Sequence, residues 1–289
     1  MNVQVVTAAE AKTRLDRSLG AGLVDAETAC TLLLTRGDGA CGVLQLEMLA
    51  FDSELLGAPV ARMTVLNAPD LAGFNALLDA SRAECVRRGV RHVVRRLPVG
   101  AFVETWGLSR AGYQLVDVSV LFERDSDAPP ARDASIRLVG AGEAETLAAR
   151  FAEAFTLTRF AVDPFFSKEA AAELHRRWIL NSCAGRADAV LVADTGGPLA
   201  GFVTCRVDHG SKTGNIELIA VDAAQRGAGT GRKLVAAALD WFRGRTERVQ
   251  VRTQLNNLIA TRLYQASGFQ LKLGELTYTW VLEEEKVVR

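Results

Sequence analysis

The chain has 289 residues, 49% hydrophobic and 24% charged, a globular balance with apolar material for one large or two ordinary domains. Its 34 Lys and Arg balance 34 Asp and Glu, which excludes nucleic-acid binding that rests on overall basic charge. Residues 1–134 carry 14 basic and 17 acidic side chains and residues 135–289 carry 20 and 17, a tilt whose sign suits an anionic ligand in the second half.

Met1 to Gly20 shows no signal-peptide pattern, and the apolar runs are too short to span a bilayer. Residues 1–40 read as an extension. His92 to Leu97 is predicted as a strand, Phe102 to Arg110 as a helix, and Leu115 to Phe122 as a strand after Gly112-Tyr113-Gln114. Polar and small residues around Pro129-Pro130 then mark residues 125–134 as a linker. Two domains follow, 1–124 and 135–289.

The second domain reads as mixed α/β. Ile136 to Val139 is a predicted strand and Ala144 to Phe155 a helix. Ser167 is the predicted N-cap of a helix through Trp178 to Asn181. Ala189 to Ala193 and Leu199 to Val207 form a predicted hairpin about Thr195-Gly196-Gly197-Pro198. Then come a strand Asn215 to Val221, a helix Gly231 to Gly244, a strand Arg248 to Thr253, a helix Leu258 to Ser267 and a strand from Phe269 to Leu282. The end of each domain is strand, helix, Gly-aromatic-Gln, strand. This is either a degenerate internal repeat or the ordinary recurrence of that unit. The five cysteines (Cys30, Cys41, Cys85, Cys183, Cys205) form no C-x-x-C pair, and His92, His175 and His209 have no metal spacing. Reduced thiols, a cytoplasmic location and no metal are therefore expected.

Chemistry concentrates in Ile216-Glu217-Leu218-Ile219-Ala220-Val221-Asp222-Ala223-Ala224-Gln225-Arg226-Gly227-Ala228-Gly229-Thr230-Gly231-Arg232-Lys233. A β-rich run enters a glycine-rich turn that opens an amphipathic helix. Glycines let the backbone approach a ligand closely, and N–H groups at a helix N-terminus favour an anion. Arg226, Arg232 and Lys233 add charge, so a pyrophosphate suits the site. A dinucleotide fingerprint and a Walker loop both need residues that are not here.

Arg-Gly-x-Gly-x-Gly after such a strand resembles the acyl-CoA-binding motif of the GNAT superfamily of N-acyltransferases. Asn257-Leu258-Ile259-Ala260-Thr261-Arg262-Leu263-Tyr264, followed by Gly268-Phe269, resembles that superfamily's other signature. The resemblance implies a GNAT fold in the C-terminal domain: a mixed, mostly antiparallel sheet flanked by helices. It implies acetyl-CoA or another acyl-CoA as co-substrate. The strands 215–221 and 248–253 would splay apart. The backbone of Leu218, Ile219, Ala220 and Val221 would meet the pantetheine arm. Arg226, Gly227, Ala228, Gly229, Thr230, Gly231 and Arg232, with Asn257, would hold the rest. Tyr264 would be the acid that protonates the leaving thiolate, the other reading being a core aromatic. Asn257 and Tyr264, seven apart, share a helix face. Glu217 is read either as the base for the amine or as a solvated edge carboxylate.

The aromatic-rich loop Phe155 to Phe166 carries Arg159, Phe160 and Asp163 as candidate acceptor contacts. Arg159-Phe160, Asp163-Pro164 and the helix ending Trp178-Ile179-Leu180-Asn181 resemble the dTDP-fucosamine acetyltransferases and related nucleotide-sugar N-acyltransferases. So does Leu49-Ala50-Phe51-Asp52-Ser53-Glu54-Leu55-Leu56-Gly57, ahead of a strand Val60 to Val65. This resemblance implies acyl transfer to the amine of a dTDP-linked amino-deoxy sugar in surface polysaccharide synthesis. In the first domain Leu108 stands at the repeat position of Tyr264 and Ala101 at that of Asn257, so that domain is expected to be a catalytically silent GNAT-like unit. The alternatives are a GNAT acting on another small-molecule amine or a protein or peptide amine, and a non-catalytic acyl-CoA sensor. A homodimer is an open expectation.

Overall fold

The computed structural model describes residues 1–127 and 133–282. The first half of the chain contains β1 (Asn2–Val6), α1 (Ala8–Arg14), β2 (Ala29–Arg36), β3 (Gly39–Met48), α2 (Ala50–Leu56), β4 (Val60–Asn67), α3 (Leu71–Arg87), β5 (His92–Pro98), α4 (Phe102–Arg110) and β6 (Gln114–Asp125). The second contains β7 (Ile136–Leu138), α5 (Ala144–Phe151), α6 (Arg159–Val162), α7 (Lys168–Asn181), β8 (Ala189–Ala193), β9 (Gly201–Asp208), β10 (Thr213–Val221), α8 (Thr230–Phe242), β11 (Arg248–Gln254), α9 (Leu258–Ala266) and β12 (Gln270–Val281).

Two compact units form. One is Met1–Asp117 with the described residues from Glu275 onward; the other is Val118–Gly274. The first unit's sheet has the order β1-β2-β3-β4-β5, followed by Glu275–Val281 of β12. Its pairs are antiparallel except β4 with β5, which are parallel from Val60↔His92 to Met63↔Arg95. The second unit's sheet has the order β7-β8-β9-β10-β11, followed by Ser119–Asp125 of β6. Here too the one parallel pair is the fourth with the fifth, β10 with β11. Each unit thus has the same six-place sheet, and in each the sixth strand comes from the other half of the sequence. This shared order bears out the repeat reading over its chance alternative.

Each sheet buries the apolar faces expected of its pattern. In the second unit α8 lays Leu234, Val235, Ala238, Leu239 and Phe242 on the sheet, in a core with Val203, Ile216, Val249 and Val251. On the opposite face, α5 and α7 pack Leu147, Phe151 and Ile179 against Val190, Val192, Phe202 and Ala220. Ser167 caps α7 by accepting from the Ala170 N–H at 3.1 Å, as its position predicted.

Five expectations change. Residues 1–40 are no loose extension: β2 lies within the first unit's sheet, between β1 and β3, and Cys30, Leu32 and Leu34 lie in its main core. The division of the chain falls within β6 and within β12 rather than at 124 and 135. The expected linker is tied to the second unit at both ends. Asp125 continues β6 opposite Arg248, the Ser126 N–H donates to the Glu247 carbonyl at 3.1 Å, and Asp133 pairs with Lys233 at 3.1 Å. Its middle, residues 128–132, lies outside the described residues. The helix expected to Gly244 stops at Phe242, because Arg243 turns out of the helix at ψ 128° and Gly244, at φ 73°, completes a turn closed by the Arg245 N–H on the Phe242 carbonyl at 2.9 Å. The helix expected to Phe155 ends at Phe151, with a 3₁₀ turn over Ala152–Ala154.

Candidate functional site

The site is built where β10 and β11 part. Their parallel ladder runs from Thr213↔Arg248 to Ile216↔Val251 and stops there. Beyond it, among the described residues, β10 pairs only with β9, and β11 only with β6. The register of β10 against β9 shifts between Ile216 and Ile219. In that bulge the Leu218 N–H donates to Thr204 Oγ1 at 2.9 Å. Bulges re-aim a strand, and this one leaves the β11-facing edge of Leu218, Ile219, Ala220 and Val221 without a strand partner among the described residues.

β10 then delivers the chain to the glycine loop. Asp222 closes a 3₁₀ turn over Ala223–Gln225 by accepting from the Ala224 N–H at 2.9 Å, and Arg150 holds its carboxylate at 2.7 Å. Gly227 and Gly229 have φ of 83° and 81°, conformations that disfavour any side chain. Gly229 is the N-cap of α8 and supplies no capping side chain, so the first N–H groups of the helix keep no partner from that source. Arg226, Gly227, Ala228, Gly229 and Arg232 are exposed, while Thr230 is buried beneath them. Gly231 marks a close approach: a Cβ there would lie 3.3 Å from Leu263 of α9. Lys233, grouped with this charge on sequence, is engaged by Asp133 instead. The loop is thus an open cradle of N–H groups at a positive helix end, beside two exposed arginines. This fits a pyrophosphate.

On α9, Tyr264 is 2% exposed, with its ring centroid 6.0 Å from that of Phe122 and 5.9 Å from that of Phe269. Burial pushes its hydroxyl above the ordinary tyrosine range. Asn257 is the N-cap of α9, its Oδ1 accepting from the Ala260 N–H at 3.1 Å. Its evident work is therefore to orient the helix that carries Tyr264. Glu217 lies at the bulge, exposed, 3.4 Å from Arg206 Nη1 and 4.0 Å from Arg186 Nε. The facing that the sequence left open is thus toward charge and solvent.

The acceptor candidates are placed differently from their expected role. Arg159 and Phe160 begin α6, within what read as a loop, and Arg159, Phe160 and Asp163 are 6%, 5% and 2% exposed. The Arg159 guanidinium sits 3.8 Å from the Phe160 ring centroid, and Phe160 packs on Phe166, His175 and Trp178. Phe155 stacks on His175 at 4.8 Å. This is an aromatic core around a buried cation, and it presents no open contact for a phosphate.

The first unit has the same parting of strands, filled from within. Met63↔Arg95 is its last parallel pair, and Arg95 Nη1 donates to the carbonyls of Thr64 at 2.8 Å and Met63 at 3.3 Å. Arg95 is also held by Glu104 at 2.9 Å. The N-terminus of α3, the counterpart of α8, carries the Asp70 carboxylate, which accepts from the Gly73 N–H at 2.8 Å and pairs with Arg36 at 2.6 Å. Where the second unit offers bare N–H groups, the first places its own anion. Sequence reading missed Arg95, Asp70 and Thr204. Each is an ordinary residue for its strand or cap, and only the register shows what it does. Among the described residues no group of three or more His, Cys, Asp or Glu side chains is arranged to hold a metal, and no helix is long and apolar enough to cross a membrane.

Comparison with known proteins is consistent with this geometry. Residues 151–269 match the acetyltransferase (GNAT) family. The spore coat polysaccharide biosynthesis protein SpsD of Bacillus subtilis is 30% identical over 149 residues, 50% of this chain and 50% of that protein. The mycothiol acetyltransferase of Kineococcus radiotolerans is 35% identical over 89 residues, 31% of this chain and 29% of that protein. The chain thus spans half or less of the length of these relatives. Among solved structures, a GCN5-related N-acetyltransferase from Sphaerobacter thermophilus superposes with a TM-score of 0.62 at 17% identity, covering 91% of this chain and 84% of that one. A tandem GNAT protein from the clavulanic acid biosynthesis pathway gives 0.61 at 15% identity and covers 99% of both chains. At such identities the likeness is one of fold, and it extends over both halves of the sequence.

Proposed function

Residues 151–269 match the acetyltransferase (GNAT) family, and from that premise we propose that the chain transfers an acyl group, acetyl in the first instance, from acyl-CoA to the amine of a nucleotide-linked amino sugar. One observation carries the transferase reading: the ladder of β10 and β11 ends at Ile216↔Val251, and the bare edge beyond it leads directly to the open glycine loop.

In this reading the loop N–H groups and Arg226 hold the pyrophosphate of the donor. The free edge Leu218 to Val221 pairs with the pantetheine arm, and an N–H of that edge polarises the thioester carbonyl. The amine nitrogen forms a bond to the carbonyl carbon while the C–S bond breaks. The thiolate takes a proton from Tyr264, whose hydroxyl burial keeps protonated across the physiological range. The amine loses its proton to Glu217 or to water. The first unit, with Arg95 and Asp70 in the equivalent places, binds no donor.

The amino-sugar acceptor is supported by the likeness to SpsD, named for spore coat polysaccharide biosynthesis. It rests on half of each chain, and the burial of Arg159 and Asp163 moves any phosphate contact elsewhere. The test is thiol release from acetyl-CoA with dTDP-linked amino sugars against unrelated amines. Release confined to the sugars supports the acceptor. Release with another amine keeps the chemistry and discards the sugar.

A further inference from the structure

On the second unit's sheet, a stretch of face has no helix residue among its described lining residues. There a groove of about 280 Å³ is bounded by residues that include Glu123, Thr213, Asn215, Arg248, Gln250 and Lys272, all from strands. Strand alternation makes this face polar. Ile216, Val249 and Val251 turn into the core under α8, so their neighbours Asn215 and Gln250 turn outward to the other side. Asn215 and Gln250 are register partners, one step before the pair at which β10 and β11 part. Glu217 is two residues on from Asn215, a rise of roughly 6.6 Å. The groove therefore begins beside the point where an acyl carbonyl would sit.

Its chemistry is specific. Gln250 Nε2 donates to Glu123 Oε2 at 2.6 Å, and Lys272 Nζ lies 3.1 Å from Glu123 Oε1. That pairing fixes the carboxylate and the amide in place, leaving the second N–H and the Oε1 of Gln250 available. The Asn215 amide and the Arg248 guanidinium stand on the same face. Donors and acceptors are interleaved, and no aromatic or aliphatic side chain is among the described lining residues. Each hydroxyl group of a sugar both donates and accepts, which matches such a surface. An apolar amine would lose water there and gain nothing in return.

We propose that this groove binds the hydroxyl-rich body of the acceptor amine and that Gln250 determines the preference for it. The inference rests on the acyltransferase reading above. It is tested on the full chain by thiol release from acetyl-CoA with two sets of amines: glucosamine, galactosamine and dTDP-linked amino sugars, and the hydroxyl-free cyclohexylamine. Hydroxylated amines are expected to be preferred in kcat/KM. Gln250→Leu is expected to raise their KM about tenfold or more, the range for a buried polar group left unpaired, with kcat for cyclohexylamine unmoved. Unchanged acetyl-CoA affinity in the variant shows that it folds, and Lys272→Met provides a second reading of the same effect. Equal use of cyclohexylamine, a preference intact in both variants, or no release with any hydroxylated amine overturns the groove. Loss of acetyl-CoA binding by the wild-type chain would instead overturn the reading beneath it.

Discussion

Arg95 donates to the carbonyl of Thr64 at 2.8 Å, from the register position that Val251 holds in the second unit. The two sheets share one plan, and this substitution separates their capacities. An apolar Val251 leaves the parting of strands open, whereas a guanidinium with a four-bond reach closes it.

The chain is therefore expected to bind a single acetyl-CoA. Isothermal titration calorimetry of the full chain measures this directly. Two equivalents per chain would show that Arg95 and Asp70 do not block the first unit.

Gly229→Val places a β-branched side chain at φ 81°, costing about 1–2 kcal/mol in backbone strain, and puts methyl groups into the anion cradle. Acetyl-CoA affinity is expected to fall at least about tenfold. Gly244→Ala, also at positive φ but past the far end of α8, serves as the control for strain without the ligand. Equal effects in the two variants would remove the loop from the binding site.

Tyr264→Phe retains the ring that packs on Phe122 and Phe269 and removes only the hydroxyl. Turnover is expected to drop about 100-fold with acetyl-CoA affinity unchanged, the range for loss of a general acid. Pre-steady-state thiol release separates the two quantities, and unaltered turnover would return Tyr264 to a core role. The raised hydroxyl pKa also has a stability consequence. The folded state holds the proton beyond the ordinary value near 10, so stability is full below that pH and declines above it. Tyr264→Phe should soften this alkaline loss.

His175 provides the acid counterpart. Burial among Phe155, Phe160 and Trp178 lowers its pKa to about 4. The unfolded chain protonates near 6.5 and the folded chain does not, so stability is full above 6.5 and is lost as pH falls toward 4. The loss is about 3 kcal/mol at most. Urea titrations at pH 7 and pH 4 measure it, and His175→Phe should flatten the difference. A variant with the same acid sensitivity would place the cause elsewhere.

The sequence discloses features that are local. Gly227 and Gly229 stand where the backbone turns left-handed, Ser167 caps its helix, and Leu234 to Phe242 form one apolar stripe. Each follows from a few neighbouring residues. What stays hidden depends on distant partners. Nothing in the patterning of β6 or β12 tells which sheet each strand joins, and so the chain divides within them. Residues 1–40 read as an extension because the family resemblance begins near residue 45, and nothing local tells that β2, buried on both faces, lies inside a sheet. Arg159 and Asp163 looked like surface contacts because charged side chains usually are, yet both are buried here, Arg159 against the Phe160 ring. Gln250 and Asn215 were invisible as a pair until the parallel register brought them opposite each other.

The most direct measurement is thiol release from acetyl-CoA by the full chain across amines, with dTDP-linked amino sugars first, beside acetyl-CoA binding by the same preparation. Binding of one acetyl-CoA together with amine-dependent release, reduced at limiting acetyl-CoA in the glycine-loop variant, is the expected result. Binding without release for any amine would contradict transfer and leave a protein that senses acyl-CoA.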